Sequence, residues 1–486
     1  MDKAQLERLD SFPYRHRVAE VMRAPLAIAD PGMTLEVASR RMVDEKVSSL
    51  VTLDEAGRAT GIITERDILR ALAQDGAGAA ADRIEAFLTS PVHDIRTDAF
   101  VYKALGRMMA RKVRHLVAVE PATRRAIGMV TGRALLKLRV GDTLQLGDRL
   151  DAAQNAADMA AARAELPGLV RRMLAEGVGA MNAAAVISQV YCDMTRRATE
   201  LAVAEMAAAG KGAPPAPWAM LVLGSGGRGE SLLAPDQDNA IVHEGTEADD
   251  AWFAEVANRA SDLLDAAGIP YCKGKVMASN ALWRRSLSGW EEEVLRWLRT
   301  PEPQSLLMIG IFFDFVAVHG DFALAERLRT FAVDHAAGAQ LFLNLMAAQI
   351  EHHHAPLRLF GGFRLTEGRL DLKLGGLFPI TCGARAMALK LASPATSTAG
   401  RLAAVLESGT LVQEDMDNLR DAHQTVTRVM LEQQIADIAA GLEPGPRIDP
   451  KRLPRSMQGK LKQALGTLAG LPLMTRDVVT SARRLD

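Results

Sequence analysis

Apolar and polar positions follow the same order twice in the first 140 residues of the chain. In each copy, an extended segment with a proline precedes an amphipathic helix, a β-rich run, a turn, a short strand and a final helix. Pro25 aligns with Pro91, and Val47 aligns with Val113, at an offset of 66 residues. This order predicts an internal repeat of two βαββα units, over about 18–76 and 84–140.

The pattern changes three times in the rest of the chain. From 147 to 213, apolar residues recur every three or four positions, which predicts a helical spacer that ends at the run GKGAPPAP. Short apolar runs such as WAMLVL then alternate with helical patterns, so we expect an α/β domain over 214–305. The helical period returns over 306–486 and predicts a helical C-terminal domain. The expected fold class is therefore multidomain, α/β and α.

Composition narrows the classes of function. A length of 486 residues exceeds a single core, which agrees with several domains. A net charge of −1 and an aromatic content of 5% argue against a nucleic-acid or membrane-surface binder, because neither a basic field nor stacking rings are abundant. The chain has no run of eighteen apolar residues, and its three cysteines are dispersed, so we expect no membrane span and a cytoplasmic location.

A Gly-rich run precedes a pair of aspartates in the string LVLGSGGRGESLLAPDQDNAIV. Glycines permit a tight turn, and Gly224, Ser225 and Arg228 stand at the predicted start of a helix, where phosphate is favoured. On a strand, Asp236 and Asp238 project to the same face, and a divalent cation would relieve their repulsion. Mg²⁺ (or Mn²⁺) binds through such carboxylates together with substrate phosphates, so we expect Asp236 and Asp238 to be catalytic metal ligands.

The repeat resembles a cystathionine-β-synthase (CBS) pair, through GIITERD in the first unit and GMVTGRA in the second. In that family the element supplies a hydroxyl to phosphate and a carboxylate to the ribose of an adenine nucleotide. The resemblance implies that Thr64, Asp67 and Thr131 bind AMP, ADP or ATP. Ala134 replaces the second aspartate, so we expect one competent site at most. The alternative is that Thr64 and Asp67 only cap their helix.

The string GSGGRGE…DQDNA resembles the nucleotidyltransferases related to the N-terminal domain of protein-PII uridylyltransferase, in the polymerase-β superfamily. Members often carry a preceding CBS pair and a following helical substrate-binding domain, to which LDLKLGGLFPITCGARAMALKLA is similar. The resemblance implies Mg²⁺-dependent transfer from a nucleoside triphosphate (NTP) to a protein or small-molecule acceptor. It also implies that Gly224 and Ser225 hold phosphate and that Arg228 and Lys275 neutralise charge.

Active members of that superfamily add a third carboxylate from a later strand. We expect this strand at Tyr271–Val276, which offers Cys272, Lys273 and Lys275 but no acid. Asp314, in the run FFDF, is an alternative acid, although its apolar neighbours favour a buried structural role. A second hypothesis therefore stays open, in which the protein is a non-catalytic adenine-nucleotide sensor with a degenerate transferase domain. In that case Asp236 and Asp238 are turn residues.

Two further expectations concern contacts outside these strings. The basic residues Lys373, Arg385 and Lys390 could hold phosphate or an acidic partner, or could equally pair with Asp371 as part of the structure. CBS pairs often associate through their helices, so the resemblance also implies a homodimer.

Overall fold

The computed structural model describes residues 17–99, 101–132, 146–302, 306–358 and 362–481. These residues form two compact units, which divide between residues 144 and 145. Among the described residues, no helix is long and apolar enough to cross a membrane.

The first unit contains the predicted repeat. Strands β1 and β2 pair antiparallel with Ser49 opposite Thr64, and β4 and β5 pair in the same way with His115 opposite Thr131. The second sheet also has β3, which runs parallel to β4. The elements are α1 (Val18–Val21), α2 (Leu35–Asp44), β1 (Ser49–Leu53), β2 (Ala59–Thr64), α3 (Glu65–Asp75), β3 (Asp94–Arg96), α4 (Val101–Arg111), β4 (His115–Val119) and β5 (Ala126–Thr131). Ala134, which replaces the second aspartate, lies outside the described residues.

A four-stranded sheet forms the centre of the second unit, in the order β8-β7-β6-β9. Strand β6 is antiparallel to β7 and β9, and β8 is parallel to β7. The elements to the end of this region are α5 (Ala156–Ala164), α6 (Leu166–Ala175), α7 (Ala180–Ala208), β6 (Trp218–Val222), α8 (Gly224–Arg228), β7 (Asn239–His243), α9 (Asp250–Ala266), β8 (Arg284–Ser286), α10 (Leu287–Arg299), α11 (Leu306–Phe312), β9 (Val316–Gly320) and α12 (Phe322–Gly338).

Aromatic packing holds this sheet to the helix that follows β8. Trp290 is fully buried, stacks on Phe312 at 4.9 Å between ring centroids, and donates a hydrogen bond to the Ile241 carbonyl at 2.9 Å. A buried indole N–H needs such a partner, so the contact fixes β7 relative to α10. The strand that directly follows the candidate aspartates is thereby anchored.

The remainder of the second unit is helical, as the sequence predicts. A short π-helical turn (Lys373–Leu377) leads directly into α14. The elements are α13 (Gln340–Glu351), β10 (Leu370–Asp371), the π turn, α14 (Phe378–Lys390), α15 (Thr398–Glu407), α16 (Gln413–Ala439), β11 (Arg447–Ile448), α17 (Arg455–Thr467) and α18 (Leu471–Thr480).

One predicted strand is wrong. Tyr271–Val276 is a turn, in which the Lys275 N–H donates to the Cys272 carbonyl at 2.9 Å and Lys275 adopts a φ of 56°. Apolar and β-branched residues suggested a strand, but the Lys-Gly-Lys core of the segment turns the chain instead. The strand that follows β7 in the sheet is Arg284–Ser286, and the sheet continues through β9, past the expected boundary at residue 305.

Candidate active site

The Gly-rich corner is folded directly onto the segment that carries Asp314. A Cβ atom on Gly227 would lie 2.0 Å from the Asp314 carbonyl oxygen and 2.8 Å from that of Val222. Gly224 adopts a φ of +56°, and its Cβ would lie 2.8 Å from Asp238 Oδ2. Only glycine fits at either position, so the backbone of the corner can approach both the Asp314 segment and the aspartate pair.

Alternation along Asp-Gln-Asp-Asn orients the two carboxylates. Gln237 is buried and donates to the carbonyls of Ser261 and Ile269 at 3.0 and 2.9 Å. Asn239 is also buried and accepts from the Ala278 N–H at 2.8 Å. Because neighbouring side chains point to opposite faces of an extended segment, the two amides turn Asp236 and Asp238 together towards the other face.

The structure brings a third side chain to the aspartates. Single ligand atoms of Asp236, Asp238 and Cys272 lie within 4.8 Å of one another. Burial raises the pKa of Asp238 to about 7, and the charge of Asp236 contributes to the rise. Burial and then the charge of Asp238 raise the pKa of the Cys272 thiol to about 12. The sequence predicted that this segment reaches the site. It did not predict Cys272 as the third side chain, because the expected ligand was a carboxylate.

One small cavity joins the corner to the aspartates. Ser225, Asp236 and Asp238 all line it, and Tyr191 and Thr195 of α7 form part of its wall. The helix expected as a spacer therefore belongs to the site. Its side chains also hold the intervening loop, since Ser188 Oγ accepts from the Ser231 N–H at 2.7 Å.

Arg228 does not point to this cavity as a free cation. Its Nε donates to Glu230 Oε2 at 2.8 Å, its Nη1 donates to Asp314 Oδ2 at 2.6 Å, and its side chain is 12% exposed. Glu230 in turn accepts from the Thr398 N–H at 2.7 Å. Arg228 thus ties the end of the corner to the helical region, and these contacts favour a structural role over phosphate binding.

Asp314 has the buried structural role that its apolar neighbours favour. It is fully buried and accepts from three guanidinium groups, with Arg385 Nη2 at 2.6 Å, Arg401 Nη1 at 2.7 Å and Arg228 Nη1 at 2.6 Å. Burial opposes the charged form, but these cations hold the pKa of Asp314 well below its usual range. With every approach occupied by arginine, Asp314 is not the third acid of the site.

Lys275 lies on the turn beside Cys272. Its side chain is exposed, and its carbonyl accepts from Asn280 Nδ2 at 3.2 Å. Lys275 is not among the residues that line the cavity around the aspartates. The structure therefore places Lys275 on the turn beside Cys272 but does not bring it to the cavity wall.

The first unit contains a separate cavity of about 330 Å³, whose lining includes Thr64, Asp67 and His115. Thr64 Oγ1 and the Thr64 N–H donate to Asp67 Oδ2 at 2.7 and 3.0 Å, so these two residues cap α3. Ser48 Oγ lies 3.0 Å from His115 Nε2 across the same cavity. Thr131 ends β5, opposite His115 in register, and is not among the lining residues.

Three family models match separate parts of the chain. The model described as "CBS domain" matches residues 18–74. The model described as "Putative nucleotidyltransferase DUF294" matches residues 164–304, and "Putative nucleotidyltransferase substrate binding domain" matches residues 340–476. The transferase match thus includes α7, the helix that lines the site.

Similar proteins cover about a quarter of the chain. An uncharacterized 17.7 kDa protein of Acidianus ambivalens is 29% identical over 27% of this chain and 78% of its own length. A homoserine O-acetyltransferase of Methanohalobium evestigatum is 25% identical over 27% of this chain, which spans only 25% of that enzyme. A CBS domain protein from Pyrobaculum aerophilum, solved with AMP, is 22% identical with a TM-score of 0.23, over 26% of this chain and 99% of that one.

The order of the family matches agrees with the fold. The first copy of the repeat, strands β6 to β8 with the Gly-rich corner, and the helices from α13 to α17 each fall in the expected model. The chain therefore has the architecture of a CBS domain followed by the domain described as "Putative nucleotidyltransferase DUF294" and its C-terminal substrate-binding domain.

Proposed function

We propose that the protein transfers a nucleotidyl group from an NTP to a hydroxyl group of a protein or small-molecule acceptor. The observation that carries this proposal is the position of Ser225, Asp236 and Asp238 on the wall of one small cavity, of about 30 Å³. A phosphate chain that enters between the corner and the carboxylates would meet both. In the reaction, the acceptor oxygen bonds to the α-phosphorus, the bond to the β-phosphate oxygen breaks, pyrophosphate leaves, and the acceptor proton passes to water.

The donor set fits a divalent metal. Asp236 and Asp238 offer the hard oxygen ligands that Mg²⁺ and Mn²⁺ prefer, and the absence of a Cβ on Gly224 leaves Asp238 Oδ2 accessible. The thiol of Cys272 is a softer donor and is not required for Mg²⁺. When bound, the metal would orient and neutralise the triphosphate during in-line displacement.

The residues of the chain perform the remaining tasks. Asp238 must lose its proton to act as a ligand, and its raised pKa makes that step sensitive to pH near 7. Gln237 and Asn239 hold the two carboxylates in place through their buried hydrogen bonds. The closely packed corner keeps Ser225 at the cavity wall without a bulky side chain between backbone and phosphate.

Pyrophosphate release tests this activity directly. We expect one of the four NTPs, with Mg²⁺ present and glycerol and water as acceptors, to release pyrophosphate slowly. Asp238→Asn should lower the rate at least 100-fold, because an amide is a poor metal ligand, whereas the exposed control Asp334→Asn should not change it. Equal rates in wild type and Asp238→Asn, or no release with any NTP, would favour the sensor hypothesis.

Regulation by adenine nucleotide at the CBS cavity is the second part of the proposal. The cavity places Thr64 and Asp67 beside an open volume of about 330 Å³, enough for a small ligand. Titration with AMP, ADP and ATP in the absence of metal should show binding that Asp67→Asn weakens, while Asp75→Asn at the other end of α3 leaves it intact. If Asp67→Asn left the nucleotide affinity unchanged, Asp67 would be only a helix cap.

A further inference from the structure

Lys373 begins the π turn between β10 and α14. Its side chain is exposed, and no hydrogen bond or ion pair of its ammonium occurs within the described part of the chain. Asp371, the expected partner, instead accepts from the Leu374 N–H at 3.0 Å and lies 4.0 Å from Arg447 Nε. Asp371 therefore does not compensate the charge of Lys373.

The π turn and the end of the Gly-rich corner lie on the same face of α16. A Cβ on Gly376 would be 2.9 Å from Val426 Cγ1, so the turn packs closely on that residue. Glu230, which ends the corner, lies 4.0 Å from His423 Nε2. Residues three apart on a helix are neighbours on one face, with Cβ atoms about 5–6 Å apart. His423 and Val426 thus hold the corner and the turn side by side.

The loop that leads from the corner to the aspartates uses the same helix. The Leu233 N–H donates to Gln434 Oε1 of α16 at 2.9 Å. The turn that carries Lys373, the end of the corner and the loop to the aspartates therefore all pack on α16.

We propose that Lys373 binds the triphosphate of the NTP, so that the site is completed by the helical C-terminal region. This inference rests on the proposed function. An ammonium is a compact point charge that suits nonbridging phosphate oxygens. The close packing of the turn fixes the backbone position from which the Lys373 side chain extends. A Cβ on Gly375 would lie 2.7 Å from Pro356 Cδ, so the turn cannot shift towards that side. Arg228 is bound to acids, and no lysine or arginine is among the described residues that line the cavity, so Lys373 would reach the phosphates from the neighbouring turn.

The proposal predicts effects of opposite sign on metal and nucleotide. In Lys373→Ala, the affinity for the Mg²⁺ complex of the preferred NTP should fall at least tenfold. The affinity for Mn²⁺ alone should stay the same or rise, because a nearby cation that repels the metal has been removed. The matched control is Lys390→Ala, which removes an ammonium bonded to Gln340 Oε1 at 2.9 Å. Calorimetric titration at pH 8 measures both ligands.

The possible outcomes separate this inference from the function on which it rests. If wild type binds Mg²⁺–NTP and Lys373→Ala binds it equally well, the inference about Lys373 is overturned alone. Loss of both Mn²⁺ and NTP binding in Lys373→Ala would show that the turn only supports the fold, which also overturns it. If wild type binds none of the four Mg²⁺–NTP complexes, the proposed function fails and the inference fails with it.

Discussion

At the scale of single residues, the candidate site combines side chains held by buried hydrogen bonds with carboxylates that lie close together. Gln237 and Asn239 use their amides in buried hydrogen bonds. The carboxylates of Asp236 and Asp238 instead lie close to each other and to Cys272, which belongs to the segment between α9 and β8. Two neighbouring carboxylates in a partly buried position cannot both ionise without cost. A cation bound by the pair, as proposed above, would offset this cost.

The raised pKa of Asp238 predicts an unusual dependence of stability on pH. Its folded-state pKa, about 7, exceeds the ordinary aspartate value of 3.8, so the folded protein holds an extra proton between these values. Its contribution to stability is therefore present at low pH and is lost as pH rises through 7. We expect the melting temperature of Asp238→Asn, relative to wild type, to increase between pH 5 and pH 8.

Thermal denaturation at several pH values measures this difference. Adding Mn²⁺ at pH 8 should raise the melting temperature of wild type but not of Asp238→Asn, since a ligand of the folded state stabilises it. Asp334→Asn, on an exposed helix surface, is the control and should follow wild type at each pH. A melting difference that is the same at pH 5 and pH 8 would contradict the assigned environment of Asp238.

At the scale of elements, the Gly-rich corner is held in place by what lies beneath it. Asp314 follows α11, Arg385 belongs to α14 and Arg401 to α15, and all three are buried. Arg228 connects this cluster to the corner, and Glu230 connects it to the first residue of α15. The corner is thus positioned by the helical region as well as by its own sheet.

Gly227→Ala tests the close packing of the corner. The added methyl group would overlap the Asp314 carbonyl, and we expect a loss of at least about 1–3 kcal/mol in the free energy of unfolding. Gly229→Asn is the matched control, because Gly229 has a φ of +73° with no atom within 4 Å of its Cβ position, and asparagine tolerates that conformation. Chemical denaturation should separate the two; equal stability would mean that the corner moves freely.

Asp314→Asn tests the buried ionic cluster. Removing the shared carboxylate leaves three guanidinium groups without their partner, and we expect a loss of about 3–5 kcal/mol. The control is Glu326→Gln, whose exposed carboxylate lies 3.5 Å from Arg329 Nε and should contribute about 0–1 kcal/mol. If Asp314→Asn behaved like this control in urea denaturation, the cluster would not anchor the corner.

At the scale of the whole molecule, the sequence predicted what depends on local pattern and missed what depends on contacts across the chain. The repeat, the Gly-rich corner and the aspartate pair follow from spacing, and the family matches confirm the architecture of CBS, transferase and substrate-binding regions. Cys272 and Ser188 reach the site region through tertiary packing, from a turn and a supposed spacer, whereas Lys373, a candidate in the sequence, is placed beside the corner only by the packing of its turn on α16. No spacing rule links residues 188, 236 and 373, so pattern alone could not bring them together.

Exposed apolar side chains on the CBS helices support the expectation of a homodimer. Val43, Leu69 and Met109 are 74%, 68% and 79% exposed on α2, α3 and α4. Large exposed apolar groups in one domain often mark an interface. Light scattering at micromolar concentration should give twice the chain mass of 52.4 kDa, and Leu69→Asp with Met109→Asp should give monomer. Val412→Asp, exposed in the second unit, is the control; a monomeric wild type would contradict the expectation.

The central claim is that the corner and the aspartate pair form one pocket for a metal-bound NTP. Isothermal titration of ATP, UTP, GTP and CTP, with and without Mg²⁺, on wild type and Asp236→Asn/Asp238→Asn tests it most directly. We predict Mg²⁺-dependent binding of one nucleotide to wild type and its loss in the double variant. Binding of adenine nucleotide alone, independent of Mg²⁺ and lost only in Asp67→Asn, would contradict the claim and make the protein a CBS sensor.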